Sequence, residues 1–173
     1  AIAATIIVIL TLLAGASVAT AESLHRVTGG IHFTSTSHED GFTRVSYLEF
    51  NAQAHEGMDV KGQLNLQQYN LDTELRRRWQ FEPVKYLKVE GNMASFAALC
   101  TYPEENYAGM WIVVTVQDNG EPGWVDDDDG PDLVQWFWKH TEEEAIETVE
   151  LNKFDSSGLF TFGIHGGNIQ VSK

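Results

Sequence analysis

The sequence predicts an all-β fold: a single antiparallel β-barrel or sandwich of about 8–10 strands, preceded by an apolar N-terminal signal helix. Three observations support this. Apolar and polar residues alternate with a period of two over most of the chain beyond residue 26. Gly-rich or polar turns punctuate that pattern at 38–41, 55–57, 103–106, 155–158 and 166–167. Beyond the N-terminal segment there is no long helical pattern.

Residues 1–21 carry no charge, include an apolar stretch from Ile6 to Leu13, and end in Ala19-Thr20-Ala21. Small residues at 19 and 21 match what signal peptidase accepts, so cleavage is expected after Ala21, leaving a β-domain over 22–173. A retained membrane anchor or pilin-like helix is the competing reading of this segment, because about 20 apolar residues span a bilayer. Gly15, Ser17 and Thr20 interrupt its second half, and no basic cluster follows it.

Within the domain, strands are expected at 27–34 and 43–52. Next, Val60, Gly62, Leu64 and Leu66 alternate with Lys61, Gln63, Asn65 and Gln67, as in a half-buried strand. Leu87 and Val89 alternate with Tyr86, Lys88 and Glu90, and Glu90-Gly91-Asn92 reads as a hairpin turn. The strand at 93–102 places Ala94, Phe96, Ala98 and Cys100 on one face. At 110–117, Ile112, Val114 and Val116 oppose Trp111 and Val113, which suits a central strand covered on both sides. Further strands are expected at 133–138, 159–164 and 168–172. Residues 141–149 are open to two readings. Thr141 and Glu144 form a capping-box pattern, while Ile146, Thr148 and Glu150 alternate as a strand would.

The formal net charge of −14 repels nucleic acid and anionic lipid, so neither is expected as a partner. After cleavage no integral membrane association is expected either. Cys100 is the only cysteine, which excludes an internal disulfide, and its apolar surroundings suit a small buried side chain.

Five short stretches also occur together in order: Val27-Thr28-Gly29-Gly30, Phe50-Asn51-Ala52, Gly91-Asn92-Met93-Ala94, the run 116–123 (VQDNGEPG), and Gly166-Gly167-Asn168-Ile169-Gln170-Val171. In this order the chain resembles a group of small, uncharacterised secreted bacterial β-domains, the post-COAP-type group. The resemblance implies a compact β-domain and transfers no active site. Gly29, Gly30, Gly166 and Gly167 further suggest that the first and last strands pass close together, which would favour a closed or nearly closed barrel.

Chemistry is most concentrated at 116–132, where Asp118, Glu121, Asp126, Asp127, Asp128, Asp129 and Asp132 crowd together without a Lys or Arg. Oxygen-rich loops hold Ca²⁺, which makes Asp118, Asp126, Asp127, Asp128, Asp129 and Asp132 the candidate ligands. The EF-hand pattern fails, because Val125 stands where its first Asp belongs and Phe137 where its last Glu belongs. A solvated acidic loop is the plainer reading. Asp118-Asn119-Gly120 alone suits a tight turn.

The six histidines show no zinc-ligand spacing, and no Gly-x-Ser-x-Gly elbow is present. A carboxylate pair for glycoside chemistry is a weak signal among so many acids. Arg76-Arg77-Arg78-Trp79 is the one basic cluster; it suits an anionic glycan, or a strand edge guarded by charge. Trp124, in the acidic loop, and Arg77 and Trp79 are the candidate ligand-binding residues, Trp rings being good platforms for sugars.

The expected function is a secreted, extracellular or periplasmic, non-catalytic β-domain of envelope or extracellular interaction type. Its partner would be a glycan or protein ligand at the cell surface, and Ca²⁺ would stabilise its acidic loop. A small secreted glycan or ester hydrolase using rim carboxylates is the second expectation. A filament subunit with a retained N-terminal helix is the third.

Overall fold

Alternation decides which way each strand faces. In β2 (Thr43–His55), Ser46, Leu48, Phe50 and Ala52 are buried while Tyr47, Glu49, Asn51 and Gln53 are exposed. Its neighbours β1 (Leu24–Thr36) and β3 (Lys61–Asn70) repeat the pattern in register, with Phe33 opposite Ser46 and Leu48 opposite Leu66. The remaining strands are β4 (Arg76–Glu90), β5 (Met93–Cys100), β6 (Trp111–Gln117), β7 (Leu133–Lys139), β8 (Thr161–Gly163) and β9 (Gly166–Ser172). One helix, α1 (Glu142–Leu151), lies between β7 and β8. This computed structural model describes residues 23–36, 41–101, 107–120, 132–154, 161–163 and 166–173. The signal segment 1–21 lies outside them.

All nine strands belong to one antiparallel sheet in the order β8-β7-β6-β5-β4-β3-β2-β1-β9. Eight are substantial and β8 is three residues long. The sheet is a meander that curls into a half-barrel. Its last strand returns to pair with the first, Gly29 opposite Ile169 and Ile31 opposite Gly167. β8 pairs with β7, and only residues 164 and 165 separate it from β9. β9 also lies against β6, and β1 against β8, so the two ends of the curl come together.

The expected pairing of first and last strands is therefore present, although Gly29, Gly30 and Gly167 do different things. Gly167 has φ +106°, and a Cβ there would fall on the carbonyl oxygen of Gly30 and 2.7 Å from Ile31 Cα. Gly29 makes room for the Phe50 ring from the neighbouring strand, not for β9. A Cβ on Gly30 would meet nothing within 4 Å.

The concave side is filled by one apolar cluster to which β1–β7 and β9 all contribute, including Phe33, Leu48, Leu64, Phe81, Phe96, Ile112 and Ile169. Cys100 is buried within it. On the convex side Ala97, Trp111 and Val113 form a second apolar patch, and α1 covers it with Ala145 and Val149. The two-sided burial of β5 and β6 thus has two sources.

That patch also decides between helix and strand at 141–151. Thr141 Oγ1 accepts from Glu144 N at 3.2 Å, and Glu144 Oε2 accepts from Thr141 N at 3.3 Å, completing the capping box. Glu142–Glu144 place negative charge at the helix N-terminus. Asn152 ends the helix in the left-handed conformation, φ 41°. A strand there would have left Trp111 and Val113 uncovered.

Tyr86 anchors the helix by donating its hydroxyl to Glu142 Oε1 at 2.6 Å, and Lys88 Nζ donates to the Glu150 carbonyl at 2.6 Å. The bond from Tyr86 holds the Glu142 carboxyl below its ordinary range, assisted by Lys85. The same bond, with desolvation and the Glu142 charge, pushes the Tyr86 phenol above its ordinary value of 10.0. A lowered carboxyl pKa contributes stability above the ordinary range and loses it as pH falls through the folded value. A raised phenol pKa contributes stability below pH 10.0 and loses it as pH rises through the folded value. The stability difference between wild type and Tyr86→Phe is therefore expected to be flat across neutral pH and to close at both extremes. Urea titrations over that range check this, and a pH-independent difference contradicts it.

Candidate functional site

Two places in the fold hold the residues that the sequence singles out. The first is the end of the sheet where β6 stops and β7 begins. Asp118 follows β6, and its Oδ1 accepts from Gly120 N at 3.1 Å, a tight turn as expected. Its Oδ2 accepts from Val171 N at 3.0 Å, on β9. Asp132, only 5 % exposed, accepts from Asn119 N at 2.8 Å through Oδ1 and from Ile169 N at 3.1 Å through Oδ2. Both carboxylates thus serve as acceptors for backbone N–H groups of β9, on the edge that β1 does not pair. Asn92, from the β4–β5 turn, donates Nδ2 to the Asp118 carbonyl at 2.8 Å and locks the same corner.

Of the six proposed calcium ligands, Asp118 and Asp132 stand in this closing role. Asp126, Asp127, Asp128 and Asp129 lie outside the described residues, as does Trp124. Among the described residues, no group of three or more His, Cys, Asp or Glu side chains is placed to hold a metal ion.

The second place is the opposite end, where β3 runs into β4. Here the inward-facing set changes character. Leu64 and Leu66 give way to Gln68 and Asn70; Leu48 gives way to Ser46 and Arg44; and Trp79 gives way to Arg77. Cross-strand pairing brings these together, with Arg44 opposite Asn70 and Gln68 opposite Arg77. They line a concave pocket of about 340 Å³ together with Phe42, Thr73 and Leu75.

The pocket wall is well tied. Asn70 Oδ1 accepts from Asp72 N at 2.9 Å and Thr73 N at 3.0 Å, and Asp72 Oδ2 accepts from Thr43 N at 2.8 Å. Gln68 Nε2 donates to Ser46 Oγ at 3.1 Å. The guanidinium of Arg44 lies 5.9 Å from the Phe42 ring centroid.

On the convex side of the same strands a second pocket, about 280 Å³, is lined by Tyr47, Gln67, Tyr69 and Arg76 and shares Gln68 and Arg77 with the first. Tyr47 is half exposed and stacks on His32 at 5.8 Å, and Arg76 sits 5.4 Å from the Tyr69 ring centroid. Among the described residues, no carboxylate forms an ion pair with Arg76, Arg77 or Arg78.

Arg77 is therefore exposed at the rim and lines both pockets. Trp79, two residues on, points the same way but is only 2 % exposed and packs edge-on against Tyr107 and Trp138. It is a core side chain, and no face of it is open for stacking. Its Nε1–H has no hydrogen-bond partner among the described residues. The charge-guarded edge expected for Arg76–Arg78 is matched in part: β4 lies between β3 and β5, yet its pairing with β5 begins only at Phe81.

Arg44, Gln68 and Asn70 were not among the expected site residues. Their signal was present as the point where each inward-facing series turns polar, which marks the mouth of a curled sheet.

Neither protein-family models nor curated proteins nor solved structures provide a match to this chain.

Proposed function

We propose that this chain is an exported, non-catalytic β-domain that works by binding a ligand at the cell surface or outside the cell, and that its ligand surface is the arginine-rich rim of β2, β3 and β4. One observation carries the reading. In a chain of net charge −14, four of the five arginines (Arg44, Arg76, Arg77 and Arg78) gather at one end of the sheet. Exposed Phe42, Leu71 and Leu75 surround them. Arg76, Arg77 and Arg78, without an ion-paired carboxylate among the described residues, repel one another, and an anionic ligand converts that repulsion into attraction. Arginine adds a planar donor fork that matches a carboxylate or sulfate.

Export rests on residues 1–21 and their Ala19-Thr20-Ala21 ending. In this reading the curled sheet is a barrel whose last gap is closed by Asp118 and Asp132. Calcium binding by Asp126–Asp129 is a separate proposal that shares no residue with the rim.

Chromatography on a carboxylate matrix at low salt tests the rim. The wild-type protein is expected to be retarded despite its overall negative charge. Arg76→Glu/Arg78→Glu is expected to abolish that retardation. Lys61→Glu/Lys173→Glu changes the net charge equally at exposed positions elsewhere, and is expected to keep most of it. Equal loss in both double variants would show that net charge alone governs the interaction and would remove the rim from the account.

A further inference from the structure

We infer that the concave pocket at this rim is a subsite for the carboxylate of an acidic sugar, a uronate unit of an extracellular glycan. The inference rests on the rim being the ligand surface and assigns the chemistry of what occupies it.

Size limits the occupant first. A pocket of about 340 Å³ stands at the small end of ligand sites. Below it the concave side is filled by Trp79, Phe81, Leu66 and Trp138, so an acyl chain has nowhere to go. The ligand unit is therefore compact.

Charge limits it next. Arg44 and Arg77 enter from β2 and β4, on either side of Gln68 and Asn70 on β3. The Arg77 guanidinium in this lining favours an anion, and its fork geometry favours a planar carboxylate. Arg77 is exposed, so its charge is available at the opening.

The remaining lining distinguishes a sugar acid from a simple anion. The Gln68 amide is held by its bond to Ser46, which leaves its carbonyl end to accept from a hydroxyl. The Asn70 carbonyl is already occupied by Asp72 N and Thr73 N, so its Nδ2 is the end that can donate. Thr73 adds a hydroxyl-bearing wall, and Phe42 and Leu75 add two apolar ones. Hydroxyl groups on a ring with apolar C–H faces need this mixture of donors, acceptors and apolar contact.

Calorimetry with the 22–173 protein as exported tests this, using trigalacturonate, maltotriose, triglutamate and inorganic sulfate as probes. Trigalacturonate is expected to bind and maltotriose not to. Triglutamate and sulfate are each expected to bind at least tenfold more weakly than trigalacturonate. Arg77→Ala is expected to weaken trigalacturonate binding about tenfold or more, and Arg77→Lys to restore only part of it. Arg26→Ala, on β1 near the opposite end of the sheet, is expected to leave binding unchanged. Binding of maltotriose at equal strength would show that the acid is not read. Triglutamate or sulfate binding as tightly as trigalacturonate would reduce the pocket to a general anion or acidic-peptide site and overturn the sugar assignment. If trigalacturonate fails to bind while retention on the carboxylate matrix still depends on Arg76 and Arg78, the uronate assignment falls and the rim stands. If both fail, both readings fall.

Discussion

Asp132→Ala is expected to destabilise the fold by about 3 kcal/mol, a large loss for one side chain near the end of a loop. The carboxylate is buried and accepts two backbone N–H bonds, one from Asn119 and one from Ile169. Hydrogen bonds to a charged acceptor contribute about 1.5–3 kcal/mol each, and their removal leaves two donors without that acceptor. Asp132→Asn keeps the shape but offers an amide where one donor needs an acceptor, so it is expected to fall between wild type and Ala. Asp118→Ala, in a more exposed corner, is expected to cost less. Urea denaturation reads the stabilities, and amide exchange at Ile169 and Val171 locates the effect. A loss below about 1 kcal/mol for Asp132→Ala, with Ile169 exchange unchanged, would contradict the closing role.

Gly167→Ala is expected to be of similar or larger size, about 4 kcal/mol, for a different reason. At φ +106° the residue sits where L side chains are strained, which alone costs about 1–3 kcal/mol. The added Cβ would also run into backbone atoms of Gly30 and Ile31, which cannot rotate away as a side chain would. β9 must then move off β1. For a domain of about 150 residues, a loss of this size lowers Tm by roughly 10 °C or more. Gly30→Ala, on β1 opposite the neighbouring Asn168, meets nothing within 4 Å and is expected to change Tm by no more than about 2 °C. Equal melting temperatures for the two variants would contradict the close approach of β1 and β9 at this point.

These two residues also show how far the sequence can be read. Leu64, Leu66, Leu87, Val89, Phe96 and Val114 announce their strands because alternation is a local property, set by the two-residue period of the backbone. Most expected strands coincide with observed ones to within a few residues. The first half of β4 shows no clear alternation, because Arg77 occupies an inward position and Pro83 interrupts the ladder, so its arginines read equally as a charged strand edge or a binding cluster. The helix at 142–151 has a clear capping box, yet only the need to cover the apolar patch of Ala97, Trp111 and Val113 decides it, and that patch is assembled from two separate strands.

The sites were less legible. Asp118 and Asp132 look alike in sequence to Asp126–Asp129, and nothing local says that their carboxylates meet the backbone of a strand 37 and 53 residues away. Trp79 looks like a sugar platform beside three arginines, and only its inward register buries it. Arg44 becomes Arg77's companion solely through the pairing of β2 with β3 and β3 with β4.

The central claim is that ligand recognition resides at the arginine rim, while Asp118 and Asp132 hold the other end of the sheet together. Amide chemical-shift mapping during a trigalacturonate titration tests it most directly. The account predicts that the largest shifts fall on Arg44, Gln68, Asn70 and Arg77, with Asp118, Asp132 and Ile169 unmoved. Shifts concentrated at 118–132, with the rim silent, would contradict it.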